Sequence, residues 1–198
     1  MSPGPEGAIE SCGCDPAADR WAIAIWGVTA DLFACAYAYA EEGGYDGSGR
    51  WRRQRLRHYL AGTAADRVRA LAQAAHFCAL IRQLARAHGK TRGGTAHVRR
   101  SFEHGCSDRL VARLRAEAAA WRLSQEGPAR RGAEAEAARH LRMAGLVPRA
   151  FLARPDRSDD DRSAGRHGKA AADNISLVLR TGAAAPEPTP GEPQLTMF

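Results

Sequence analysis

At 198 residues with 44% hydrophobic content, the chain has room for one ordinary domain with a buried core plus flexible ends. No stretch nears the roughly 18 consecutive apolar residues of a membrane-spanning helix. Met1 to Gly13 has neither a basic leader nor an apolar run, and five cysteines are an odd number, so a soluble, cytoplasmic chain with free thiols is expected rather than an exported disulfide framework. The formal net charge of +7 comes almost wholly from arginine, with Lys90 and Lys169 the only lysines; it favours phosphate backbones by long-range attraction.

Residues 1–15 are rich in glycine and proline and are expected to be disordered. Cys12 and Cys14 stand one residue apart, closer than the usual zinc-ligand gap and with no further ligands placed, so they read as a mobile pair of thiols. Asp15 and Pro16 suit a helix start, and Trp21, Ile25, Val28, Leu32 and Phe33 recur at helical spacing up to about Cys35. From Ala34 the pattern becomes strict alternation, which puts Cys35, Tyr37 and Tyr39 on one face of a strand. Glycine-rich residues 43–49 read as a loop, and Arg52 to Leu60 as the returning strand of a hairpin. That strand mixes Arg52, Arg53, Arg55 and Arg57 with Trp51, His58 and Tyr59, side chains that contact phosphates and stack on bases, so the four arginines are candidate nucleic-acid contacts.

Ala65 to His88 is the strongest helical segment, with Val68, Leu71, Ala75, Cys78 and Ile81 on one arc widened by Phe77, Leu80 and Leu84. Gly89-Lys90-Thr91 contains the G-K-T of a phosphate loop but lacks the preceding strand and earlier glycine, and a turn between helices explains the glycines better. Thr95 to Ser124 is a second long helix, expected antiparallel to the first, in which Val98, Phe102, Cys106, Leu110 and Leu114 step by four, with Trp121 near the same side. Gly105 within it costs about 1 kcal/mol relative to alanine and calls for a closely packed neighbour. His104 and Cys106, adjacent on a helix, with His76 elsewhere, could serve a hydrolase only by converging in space. Gly127 to Gly132 reads as a break, Ala133 to Ala144 as a helix closed by Gly145, and Asp159-Asp160-Asp161 as a solvated loop rather than a magnesium site. Gly165 to Ala172 then leads to Ile175, Leu177, Val178 and Leu179, a last short helix able to dock on the core. The fold expected is α+β and mostly helical, with a small β-hairpin between helix one and a long antiparallel helix pair, and disordered termini.

After Gly182 the chain changes character. Pro186, Pro188, Pro190 and Pro193 are interleaved with small and polar residues, which removes backbone donors and leaves an extended linker. Behind it come Gln194-Leu195-Thr196-Met197-Phe198, three large apolar side chains and a glutamine with no core to serve. This Q-L-x-[L/M]-F form resembles the linear motif by which bacterial replication and repair proteins bind the DNA polymerase sliding clamp, the β clamp. The resemblance implies that Gln194 fixes orientation through its amide while Leu195, Met197 and Phe198 enter an apolar cleft on the ring. Methionine in place of the commoner leucine before phenylalanine conserves volume in such a cleft. The expected organisation is a disordered segment 1–15, an α+β domain 16–181, a proline-rich linker 182–193 and a partner-binding peptide 194–198.

Several landmarks within residues 20–180 resemble an uncharacterised prokaryotic and phage family, the group of domains of unknown function numbered two-seven-eight-six and seven-one-six-eight. They are Trp21 leading an apolar helix to Cys35, Leu60-Ala61-Gly62 before the long helix, Ser101-Phe102 with Gly105 and the Leu110/Leu114 helix, and Gly165-Arg166-His167-Gly168-Lys169-Ala170. The resemblance implies an α+β fold and a phage or mobile-element setting, without an activity, cofactor or catalytic residue. The expectation is a non-enzymatic replication or repair accessory protein whose partners are the sliding clamp and DNA; the alternatives are a plain nucleic-acid-binding module or a metal-dependent nuclease or hydrolase.

Overall fold

The computed structural model describes residues 20–91, 94–124, 127–147 and 161–177, with the side chains of Arg20 and of residues 40–43 and 51–57 left out of the description. Helix α1 (Arg20–Leu32) is the hub, packed against two long helices and the first strand. Trp21, Ile25, Trp26, Val28, Ala30 and Leu32 are all buried, as expected of a helix that is apolar nearly all round. It ends where Phe33 N and Cys35 N both donate to the carbonyl of Ala30, with Ala34 in the left-handed region at φ 53°, a turn that aims the chain into strand β1 (Ala36–Tyr45).

Strand β1 pairs antiparallel with β2 (Trp51–Ala61), from Ala36 opposite Ala61 to Tyr45 opposite Trp51. The register steps from Glu42–Arg55 to Gly43–Arg53, so Gln54 is the extra residue of a bulge. Gly43 and Gly44 therefore belong to the ladder, not to the expected loop: pairing with the other strand outweighs the local preference of glycine for turns. The turn itself is built by Asp46, whose carboxylate accepts from Ser48 N at 3.0 Å, Ser48 Oγ at 2.6 Å and Arg50 N at 3.0 Å. Alternation at the root of the hairpin serves two layers. Tyr37, His58 and Leu60 are buried with the main core, while Ala38 and Ala61, flanked by Ala36 and Tyr59, meet Ala137 and Leu141 of a later helix.

Gly62, at φ 151°, sits where an added Cβ would lie 2.8 Å from Cys35 Sγ, so the passage out of β2 tolerates only a glycine. Helix α2 (Ala64–Thr91) starts at Thr63, whose hydroxyl accepts from Asp66 N and donates to the Asp66 carboxylate at 2.6 Å. Its buried line is Ala70, Ala74, Phe77, Cys78, Ile81 and Ala85, which corrects the expected arc: Ala75 is exposed and Val68 is 66% exposed. Val68 lies about 200° around the helix from Ala70, and the alanines on the true inner line let α2 close on its neighbours.

Helix α3 (Ala96–Leu123) begins at Thr95, whose hydroxyl accepts from Val98 N, and runs antiparallel to α2 through a turn closed by Gly94 N donating to Gly89 O at 2.8 Å. Phe102, Cys106, Leu110 and Leu114 are buried as their spacing predicts. Trp121, by contrast, is 37% exposed and lies under the Arg130 guanidinium at 5.5 Å. Helix α4 (Gly127–Met143) starts six residues before the expected Ala133, because Pro128 occupies a first-turn position where a missing N–H costs nothing. Arg130 ties it down, pairing with Glu134 and donating to the carbonyl of Asp31 at the end of α1. Gly145, at φ 74°, and the bond from Leu146 N to Leu141 O close α4 as the sequence predicts. Helix α5 (Arg162–Asp173) lies on the glycine-rich segment itself and stops before Ile175, earlier than the sequence reading placed the last helix.

The architecture is thus the expected one, mostly helical with a small antiparallel hairpin between α1 and a long antiparallel helix pair. Among the described residues no helix is long and apolar enough to cross a membrane. Cys35, Cys78 and Cys106 are buried, and among the described residues none is in a disulfide.

Candidate functional site

Of the residues singled out by the sequence, Gln194, Leu195, Met197 and Phe198 lie outside the described residues, as do Cys12, Cys14, Asp159 and Asp160. Arg52, Arg53, Arg55 and Arg57 occupy β2 at register positions opposite Gly44, Gly43, Glu42 and Ala40, in the part of the hairpin beyond its buried root. Their side chains are outside the description.

The residues considered for metal or nucleophilic chemistry do not assemble. Among the described residues no group of three His, Cys, Asp or Glu is placed to hold a metal ion, so His76, His104 and Cys106 share no such site. Cys106 is wholly buried, and removal from water pushes its thiol up to about 12, far from the thiolate a nucleophile needs at neutral pH. Asp161 serves α5 instead of a cation. Its carboxylate accepts from Ser163 N and Ala164 N, both at 2.9 Å, and the bond from Ala164 foremost holds it below the usual carboxylate range.

Two constellations do form. At the hairpin root, the His58 ring lies stacked between Trp26 and Tyr37, with centroids 5.7 and 5.9 Å away, and its Nδ1 is 2.6 Å from the Tyr37 hydroxyl. His58 is 1% exposed, its Nε2 is buried with no partner among the described residues, and burial lowers its pKa to about 4. It is neutral at physiological pH; its hydrogen bond to Tyr37 ties β2 to β1, and its ring contact with Trp26 packs the hairpin on α1. His58, which the sequence places beside the arginines of its strand, belongs instead to the buried face, opposite Tyr39 and alongside Tyr37 and Leu60.

The second constellation joins α3 and α5, which run in the same direction. Asp161 N donates to Ser101 Oγ at 3.0 Å at their start, Gly165 faces Gly105 one turn on, and Arg109 Nε meets Asp173 at 2.7 Å farther along. A Cβ added at Gly105 would lie 2.1 Å from Gly165 O, and one at Gly168 would lie 2.2 Å from Phe102 O, so the two backbones touch through their glycines. Arg113 closes the far end by donating to the carbonyl of Ala172 in the last turn of α5 and to that of Ile175 just beyond it. The close neighbour required by Gly105 is therefore α5 and not the preceding helix. The segments Ser101-Phe102-Gly105 and Gly165–Ala170, read separately in the sequence, are two sides of this one contact.

With its inner face so occupied, α5 turns Arg162, Arg166, His167 and Lys169 outward, all exposed, with His167 leaning toward α2 at 5.2 Å from the His88 ring. Both α5-associated carboxylates are engaged, Asp161 as the cap and Asp173 with Arg109, which leaves the outer face cationic. Compared with family models, curated proteins and solved structures, the chain matches none.

Proposed function

We propose that this chain is a non-enzymatic accessory protein of DNA replication or repair, borne by a phage or mobile element, whose peptide Gln194–Phe198 docks on the bacterial DNA polymerase sliding clamp. The observation that carries the reading is the pattern Gln194-Leu195-Thr196-Met197-Phe198 behind a segment with prolines at 186, 188, 190 and 193. The twelve residues 182–193 can span at most about 40 Å, enough to hold a body beside a ring without fixing its orientation. A tether of that kind raises the local concentration of the body on clamp-loaded DNA toward the millimolar range, so weak contacts between body and DNA suffice. The net charge of +7 supports DNA as the second partner.

The test is a titration of purified clamp with a labelled peptide of residues 189–198. Micromolar binding is expected, abolished by Gln194→Ala and by Phe198→Ala; a peptide that binds no tighter than either variant refutes the docking. A second reading, a nucleic-acid-binding module whose tail is incidental, draws on the same cationic surface, and it predicts duplex binding together with no clamp binding.

A further inference from the structure

We infer that the outward face of α5 is a docking surface for the phosphate backbone of duplex DNA, contacted by Arg162, Arg166 and Lys169. This rests on the reading that the body works on DNA, and it does not involve the peptide at 194–198. The three cations recur at i, i+4 and i+7, one stripe of the helix, and all three are exposed. The stripe is about 10 Å long at a rise of about 1.5 Å per residue, a length over which one strand of B-form DNA presents about three phosphates.

Arginines that already hold a carboxylate are less available to an external phosphate than this stripe. Arg69, Arg109, Arg122, Arg130 and Arg139 each face a carboxylate, which reduces their pull on an external anion. Among the described residues Arg162, Arg166 and Lys169 face none, and the polar bond made by Arg166, from Nε to the Arg162 carbonyl, leaves the rest of its guanidinium outward. Asp173 is paired with Arg109, while Asp161 keeps its charge at the first-turn N–H groups of α5, so three cations stand against one uncompensated carboxylate at the start of the stripe.

The support under the stripe is rigid. Backbone-to-backbone contact at Gly105, Gly165 and Gly168, with Arg113 clamped on the last carbonyls, leaves α5 little freedom to rock on α3. The alternation in Gly165-Arg166-His167-Gly168-Lys169 thus answers two demands at once, no side chain inward and charge outward. A platform held in this way meets a regular array of phosphates without ordering a loop, which lowers the entropic cost of binding.

The experiment is fluorescence polarisation of a labelled duplex with the full chain, across a salt series. Arg162→Gln/Arg166→Gln/Lys169→Gln is compared with Arg131→Gln/Arg139→Gln/Arg142→Gln, which removes the same number of cations from the exposed side of α4. Circular dichroism melts confirm that both remain folded. The α5 triple is expected to weaken binding at least about ten-fold and to flatten the slope of log K against log salt by about 2 to 3, with the α4 triple changing the slope by less than about 1. Equal losses from the two triples, or no duplex binding by the full chain at low salt, overturn the assignment; so does binding to phosphatidylglycerol vesicles that needs these three residues in the absence of duplex binding. No clamp is present, so a negative result here leaves the tether standing, and a negative clamp titration leaves this surface standing.

Discussion

Replacing Gly105 with alanine tests the glycine contact that sets α5 on α3. The added Cβ would start 2.1 Å from Gly165 O, whereas ordinary van der Waals contact begins near 3.4 Å, so the two backbones must part by about 1.3 Å, the difference of those distances. Overfilling a packed contact costs about 1–3 kcal/mol, and the gain in helix propensity returns at most about 1 kcal/mol. With the full propensity gain the net effect is a destabilisation of up to about 2 kcal/mol, which in a chain of this size lowers the thermal midpoint by up to about 8 °C. Gly132→Ala is the matched control, because that glycine lies in α4 with nothing within 4 Å of its added Cβ, and there the same substitution should raise the midpoint by a few degrees. Calorimetric melts of the three proteins decide the matter. If Gly105→Ala melts at or above the parent, the α3–α5 contact is not the close crossing described here.

Two further outcomes follow from buried groups. His58 has a pKa of about 4 in the fold against 6.5 unfolded, so the unfolded chain binds the extra proton between those values. Stability that is fully present above pH 6.5 is therefore lost as pH falls toward 4, by up to about 3 kcal/mol; urea unfolding at pH 7 and pH 4.5 should show this loss, and His58→Phe should make it smaller. An undiminished loss in the variant would place the proton elsewhere. Burial pushes the thiols of Cys35 and Cys106 to about 12, so alkylation at pH 8 followed by mass spectrometry should leave both unlabelled in the native protein and label both in denaturant. Native labelling of Cys106 would restore it as a reactive residue.

Element types were legible in the sequence wherever a single period ran long. The four-residue steps from Val98 to Leu114 gave α3, and the alternation from Cys35 to Tyr39 gave the hairpin, because burial on one face imposes those periods directly. What was not legible depends on a second element. Gly43 and Gly44 suggest a loop until β2 pairs with them, and Pro128 suggests a break until it falls in the first turn of α4. Alanine carries little hydrophobic signal, so Ala70 and Ala74 gave no warning that the inner line of α2 avoids Val68. Gly165 and Gly168 looked like a lead-in to a helix when they are its packing face, since absence of a side chain is informative only once the opposing backbone is known. Nor could the sequence separate outward arginines with a carboxylate partner from those without one, a distinction that rests on tertiary geometry at Asp173 and Glu134.

Tethering to the sliding clamp is tested most directly by capture of purified clamp on the immobilised full chain, with and without residues 194–198. Micromolar capture is expected, lost with those five residues while the melting temperature of the body stays the same. Equal capture by both proteins, or none by the full chain, would contradict it.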